Sequence, residues 1–280
     1  MKRIIILIAT ALAVCCTDQN RKKTDWAEDG LKGKVKSIRI IYSAAAEKFG
    51  EITKGDIIDD ELKKYDDKGN LTESNHYNLY GSLDSKYTYK YDGNGNWTEW
   101  NQYNSDGSLN SKWTCKYDSR GRETEENIYN SDGRLDKKIE WKYDDKNEMI
   151  EIKVYTADGN LYEKRIHKYD DRGNMTEWNE YTSSGRLREK STYKYDDNGN
   201  MTDWNEYNSI GRLSKKSTYK YDDKRNLIEY NEYNSVGSLN SKYTYKYKYD
   251  SKGNWIEKIE YEGEANIVET ITEREIEYYE

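Results

Sequence analysis

Residues 195–220 read YDDNGNMTDWNEYNSIGRLSKKSTYK, and everything from Tyr65 to about Tyr261 varies that text. Its opening Tyr-Asp recurs at Tyr65, Tyr91, Tyr117, Tyr143, Tyr169, Tyr195 and Tyr221, every 26 residues, and again at Tyr249 after an inserted Tyr247-Lys248. A fixed period of this size marks a stacked-repeat architecture. Each copy holds two turn signals about half a period apart, Asp196-Asp197-Asn198-Gly199-Asn200 and Asn208-Ser209-Ile210-Gly211-Arg212. Each copy is therefore expected to be a β-hairpin.

In both turns the glycine is fourth of five, which suits a type I turn closed by a left-handed residue and a G1 bulge. That loop sets Tyr195 opposite Met201 and Tyr207 opposite Leu213. Alternation from those pairs puts Tyr195, Met201, Asp203, Asn205, Tyr207, Leu213, Lys215, Ser217 and Tyr219 on one face. The other, more charged face receives Thr202, Trp204, Glu206, Ser214, Lys216, Thr218 and Lys220. Asn147 and Arg225 replace the turn glycine in two copies. Asn tolerates a left-handed backbone, whereas Arg costs about 1 kcal/mol there, which predicts a relaxed turn at 222–226.

The chain opens with MKRIIILIATALAVCC, a basic start and an apolar run too short to span a membrane but right for a signal peptide. Because the run ends in cysteine, it resembles a bacterial lipoprotein signal, with Cys16 preferred to Cys15 as the lipidated residue. The expected organisation is a signal at 1–15, a lipidated Cys and flexible tether at 16–31, and one β domain at 32–280. Within that domain, 32–64 reads as an N-terminal cap, 65–261 as about eight repeats and 262–280 as a closing strand. The cap consists of a strand from Lys32, a turn at Ser43–Ala46 and a strand from Asp56 to Tyr65.

Charged residues make up 35%, proline is absent, and tyrosine numbers 29 against a single phenylalanine. Mean hydropathy is −1.24. Such a chain cannot fill a thick core, yet its regular aromatics set it apart from a disordered one. A sheet one layer thick, faced by tyrosine rings and long Lys and Glu stems, needs little core. The fold expected is all-β, an elongated antiparallel hairpin array about 80 Å long, coiled by ordinary strand twist into a superhelix or an open shell. Loss of Lys2 and Arg3 with the signal takes the net charge from −7 to −9. With basic residues interleaved among acids, nucleic acid is not an expected partner.

Tyr193-Lys194-Tyr195-Asp196-Asp197-Asn198-Gly199-Asn200, and equally Tyr89 to Asn96, resembles the YD repeats of the RHS family. Tyr207 to Leu213 is similar to MORN-type repeats, and Lys32-Gly33-Lys34-Val35-Lys36-Ser37 looks like the opening of repeat lipoproteins from the Bacteroidota. The resemblance implies a β-hairpin array and, since YD repeats are often described as carbohydrate-binding, a glycan partner. RHS proteins often add a self-cleaving segment and a C-terminal toxin; neither is recognisable here.

Residues present in every copy, such as the acid at Glu177, Asp203 and Glu229 or the lysine at Lys190, Lys216 and Lys242, read as cross-strand scaffold pairs rather than catalytic carboxylates. His76 and His167 stand apart without a Cys or His at ligand spacing. Asp-rich turns lack the ligand count of a calcium site. No catalytic residue, metal or cofactor is expected. Cys115 reads as a small packing residue without a disulfide partner. What rises above scaffold is an aromatic stripe, Trp100, Trp178, Trp204 and Tyr230, in one column of successive copies. It suits stacking on sugar rings or anchoring a protein; it could also merely shield the ladder of a thin sheet. The function expected is a non-enzymatic, lipid-anchored envelope protein of the outer membrane that binds glycan or an envelope or host protein, with a passive spacer as the alternative.

Overall fold

The computed structural model describes residues 24–280, so Cys15, Cys16 and the expected signal lie outside the described residues. A one-turn helix α1 (Asp25–Glu28) precedes eighteen strands. They run β1 (Val35–Lys48), β2 (Glu51–Tyr65), β3 (Leu71–Tyr77), β4 (Leu83–Tyr91), β5 (Trp97–Asn104) and β6 (Leu109–Tyr117). β7 (Glu123–Asn130), β8 (Leu135–Tyr143), β9 (Met149–Thr156), β10 (Leu161–Tyr169), β11 (Met175–Thr182) and β12 (Leu187–Tyr195) follow. β13 (Met201–Asn208), β14 (Leu213–Tyr221), β15 (Leu227–Asn234), β16 (Leu239–Tyr249), β17 (Trp255–Glu262) and β18 (Ile267–Tyr278) complete the set. Consecutive strands pair antiparallel, and β1 pairs with β18 as well as with β2. The sheet is thus a closed barrel, which overturns the expected open or coiled array while keeping its all-β class.

The bulges explain the closure. Tyr195 faces Met201, but Lys194 faces Asp203, so β13 carries one extra residue just after the turn. Tyr207 faces Leu213 while Glu206 faces Lys215, and β14 carries another. Tyr193 pairs with Trp204, which pairs in turn with Ser217; Tyr193 is therefore level with Ser217 and not with its counterpart Tyr219. Each repeat is staggered by two residues. Two residues of about 3.3 Å against two strand spacings of about 4.8 Å give a tilt of about 35°, the slant that barrel closure requires. Bulges also add twist and bend. Eighteen strands at that tilt close at a radius of about 17 Å, wide enough for an aqueous interior.

The same bulges overturn the expected division of faces. Each extra residue breaks the alternation, so Trp204 and Glu206 lie on the side of Tyr193, Ser217 and Tyr219, while Asp203 and Asn205 join Lys216, Thr218 and Lys194. The aromatic side faces inward. The short α1 and the linings of β5, β6, β7 and β8 share one cleft, bounded by Asp25, Glu28, Trp97, Tyr117, Arg122, Glu123 and Tyr143, while Asp25 also accepts from Tyr91 and Asp29 from Tyr65. The five residues 25–29 reach strands so far apart only from the concave side. The lysines of the opposite side, such as Lys90 and Lys220, are about two-thirds exposed.

The Tyr-Asp signature has a structural meaning at one rim. Asp196 Oδ1 accepts from the backbone of Asn198 and Asn200, and its Oδ2 accepts from the Asn200 side chain. The Tyr195 hydroxyl donates to the carbonyl of Met175, at the bulge of the preceding hairpin, 2.8 Å away. Tyr91, Tyr117 and Tyr169 do the same to Leu71, Trp97 and Met149. In the last copy the inserted Tyr247 takes over this role, reaching Leu227. The turn at 222–226 is not relaxed: Arg225 adopts φ 67° and keeps both turn hydrogen bonds. The neighbouring hairpins hold the backbone shape against the local cost.

Residues 24–31, expected as part of a tether, are docked at this rim. Thr24 caps α1, Trp26 donates to the Val35 carbonyl, and Leu31 packs with Val35, Ile38, Ile40 and Tyr65 in the main apolar cluster. Asn254 grips the Lys32 backbone in both directions. At the opposite rim β1 and β2 run longer than expected. Ser43–Ala46 is strand rather than turn, and the hairpin ends at Phe49-Gly50 with Phe49 fully exposed.

Candidate functional site in the barrel lumen

The four stripe residues all sit on the inner wall, among rings that strict alternation had assigned to the other face. Trp100 stacks on Trp113, with centroids 3.4 Å apart and planes 8° from parallel, and lies beside Tyr87 and Tyr89. Trp204 stacks on Tyr193, donates from its indole to Ser191 and carries the Lys215 ammonium 4.9 Å over its ring. Tyr230 lies between Tyr219 and Tyr243 and hydrogen-bonds Glu232. Trp178 pairs across the ladder with His167 and Ser191, and its ring has no aromatic neighbour among the described residues. Two columns thus merge into one belt on the inner wall, dense in rings at Tyr87–Trp113 and at Tyr193–Tyr243 and interrupted between them by Glu126, Ile152 and Arg165. The bulge that merges them has a sequence signal, the G1 turn itself, but only the pairing tells which strand receives the extra residue.

Between the rings stand polar groups held in the wall. Ser191 and Ser217 are fully buried. Glu180 accepts from Arg188 at 2.7 Å, and Glu163 pairs with Arg165 at 2.5 Å. His167 is buried, which with Arg165 nearby lowers its pKa to about 4 and keeps the imidazole neutral. His76 stands against Tyr87, and no three His, Cys, Asp or Glu residues gather as metal ligands among the described residues. Cys115 is more than packing: its thiol donates to Glu123, beside Glu126, whose carboxyl is pushed up to about 7 by burial and then by the Glu123 charge.

The outer wall is of another kind. Lys64–Glu73–Lys86, Lys90–Glu99–Lys112 and Lys168–Glu177–Lys190 repeat around it as two-sided ion pairs of 2.6 to 2.8 Å. Hydrogen bonds from Lys112, Lys90 and Asn101 hold the Glu99 carboxyl down at about 2. A charged side chain on a lipid-facing strand costs up to about 2–4 kcal/mol at mid-bilayer, and these columns place charges on strand after strand. Such a wall belongs in water, so the barrel is not a membrane-spanning one.

No family model matches the chain, and no curated protein matches it. Among solved structures it is similar to a porin-like protein from Bacteroides uniformis, at 11% identity over 88% of this chain and 98% of that one, with a TM-score of 0.46. A porin-like protein from Bacteroides vulgatus aligns at 12% identity over 88% of this chain and 98% of that one, with a TM-score of 0.40. The TcdB2-TccC3 structure aligns at 13% identity over 74% of this chain and 14% of that one, with a TM-score of 0.21. These likenesses are of a repeating β wall and carry nothing about a ligand.

Proposed function

We propose that this protein is a non-enzymatic envelope lipoprotein whose water-filled barrel binds carbohydrate along the aromatic belt of its lumen. The observation that carries the reading is the belt: rings presented to an aqueous interior, with Glu, Ser and Lys groups between them. Sugar rings offer C–H faces to aromatics and hydroxyls to such polar neighbours. A concave wall suits a chain-like ligand better than a folded protein. The outer ion-pair columns give the barrel a water-facing surface, so membrane attachment falls to the N-terminus, through lipid on Cys16 or Cys15. The docked segment from Thr24 would hold the Tyr-Asp rim toward that anchor.

The test is tryptophan fluorescence of residues 17–280 against bacterial and host polysaccharides, repeated with Trp178, Trp204 and Tyr230 changed to Ala. A saturable response to one glycan class, lost in a triple variant that still melts cooperatively, supports the reading. If no glycan elicits a response, the barrel is a spacer.

A further inference from the structure

One corner of the lumen collects hydrogen-bond donors and gives them no acceptor. Lys258 occupies the column that holds Trp178, Trp204 and Tyr230 in earlier copies. Across the ladder its partner is Thr272, and Arg274 lies two residues further along the same inward face of β18. Diagonal neighbours of this kind are about 7–8 Å apart, within reach of long side chains. The Arg274 guanidinium carbon lies 3.5 Å from the Trp255 ring centre, so the indole covers one face of the guanidinium. Arg274 Nε and Thr272 Oγ1 are buried without a partner. Neither Lys258 nor Arg274 forms an ion pair or a hydrogen bond to any described residue.

Several other cations of this barrel meet acids, although Arg165 Nε is also buried without a hydrogen bond. Arg165 and Arg188 are clamped by Glu163 and Glu180, and the outer lysines pair in columns. The acids near this corner are engaged elsewhere. Asp29 binds Lys63 at 2.9 Å and Tyr65, and Glu61 accepts from Ser74. Glu260, opposite Tyr245 across the ladder, stands beyond ion-pair distance of Lys258, although its charge still acts on the ammonium. Buried donors are ordinarily satisfied, so the two left without a partner, Arg274 Nε and Thr272 Oγ1, beside an unpaired Lys258, call for an acceptor from outside.

We propose that Lys258, Thr272 and Arg274 form a subsite for the carboxylate of an acidic sugar. The edge of a guanidinium matches the two oxygens of a planar carboxylate. The threonine hydroxyl and the ammonium complete its shell, and Tyr245, Tyr247 and Trp255 flank the place where the sugar ring would lie. The inserted Tyr247-Lys248 creates this corner by setting Tyr247 rather than Tyr245 opposite Lys258. The proposal rests on the glycan reading above and names its ligand class. A net charge of −9 on the mature chain opposes unspecific capture of anions, so affinity for an acid must come from a local site.

The experiment compares trigalacturonate with its methyl ester, the same sugar without charge, binding to wild type, Arg274→Gln and Lys258→Gln. The acid is expected to bind at least about ten-fold tighter than the ester in wild type, with the ratio falling to about two-fold or less in either variant. Equal affinities in wild type, or a ratio that the variants leave unchanged, overturns the subsite. If neither sugar binds, the glycan reading fails by itself, and sodium acetate then decides the subsite. A saturable change in tryptophan emission, absent in Arg274→Gln, supports it, and a flat titration overturns it. Folding does not confound the comparison, because Arg274→Gln removes an unpaired buried charge and is expected to melt at or above the wild-type temperature.

Discussion

Replacing Tyr195 by Phe deletes one oxygen and tests why the Tyr-Asp signature exists. The ring and its burial are kept; what is lost is the 2.8 Å bond to the Met175 carbonyl at a bulge, where the ladder is interrupted. An ordinary hydrogen bond contributes about 1 kcal/mol net, and a partly buried carbonyl left without a donor costs about 1–3 kcal/mol, so the expected loss is about 1–2 kcal/mol. A barrel of this length has an unfolding entropy of about 0.5 kcal/mol per kelvin, which turns that loss into a fall in melting temperature of about 2–4 °C. Tyr207 recurs in the same repeat, but its hydroxyl has no partner among the described residues, so Tyr207→Phe is the control and should shift melting by less than about 1 °C. Scanning calorimetry of the two variants beside wild type provides the measurement. If Tyr195→Phe and Tyr207→Phe melt together, the bulge carbonyl does not need its hydroxyl, and the structural account of the repeat is wrong.

Further expectations follow from other features. Arg225→Gly relieves a left-handed arginine and should raise stability in urea by up to about 1 kcal/mol, whereas destabilisation would mean that contacts of the Arg225 side chain outweigh its backbone strain. Glu126 has a folded pKa near 7, above its unfolded value, so the stability it contributes is full below about pH 4 and is lost as pH rises through 7. Glu126→Gln should therefore raise the melting temperature at pH 8 and leave it nearly unchanged at pH 4; equal shifts at both pH values refute the assignment. Glu73, Glu99, Glu125 and Glu177 are all depressed to about 2, with hydrogen bonds from flanking lysines contributing to each. Their stabilisation is present above about pH 4 and is lost as pH falls toward 2. Melting followed from pH 5 to pH 2 should show that decline, and Glu99→Gln should reduce it; a decline of the same size in the variant would place the acid sensitivity elsewhere.

By itself the sequence determined the period, the hairpins, their turn type and the pairs Tyr195–Met201 and Tyr207–Leu213, because these depend on a glycine at a left-handed position and on contacts a few residues apart. It also determined that ring-bearing columns exist. Tertiary structure alone decided which columns share a face and whether the sheet ends. A bulge moves one strand by one residue and reverses every assignment beyond it, so Trp204 joins Tyr193 only once the pairing is known. Closure requires β1 to meet β18 after the accumulated stagger and bend of the intervening hairpins. No single repeat encodes that sum. The docking of Trp26 on Val35 and the unpaired corner at Lys258, Thr272 and Arg274 were hidden for a related reason: each joins nearby segments whose side chains meet only once the strand register and its bulges are known.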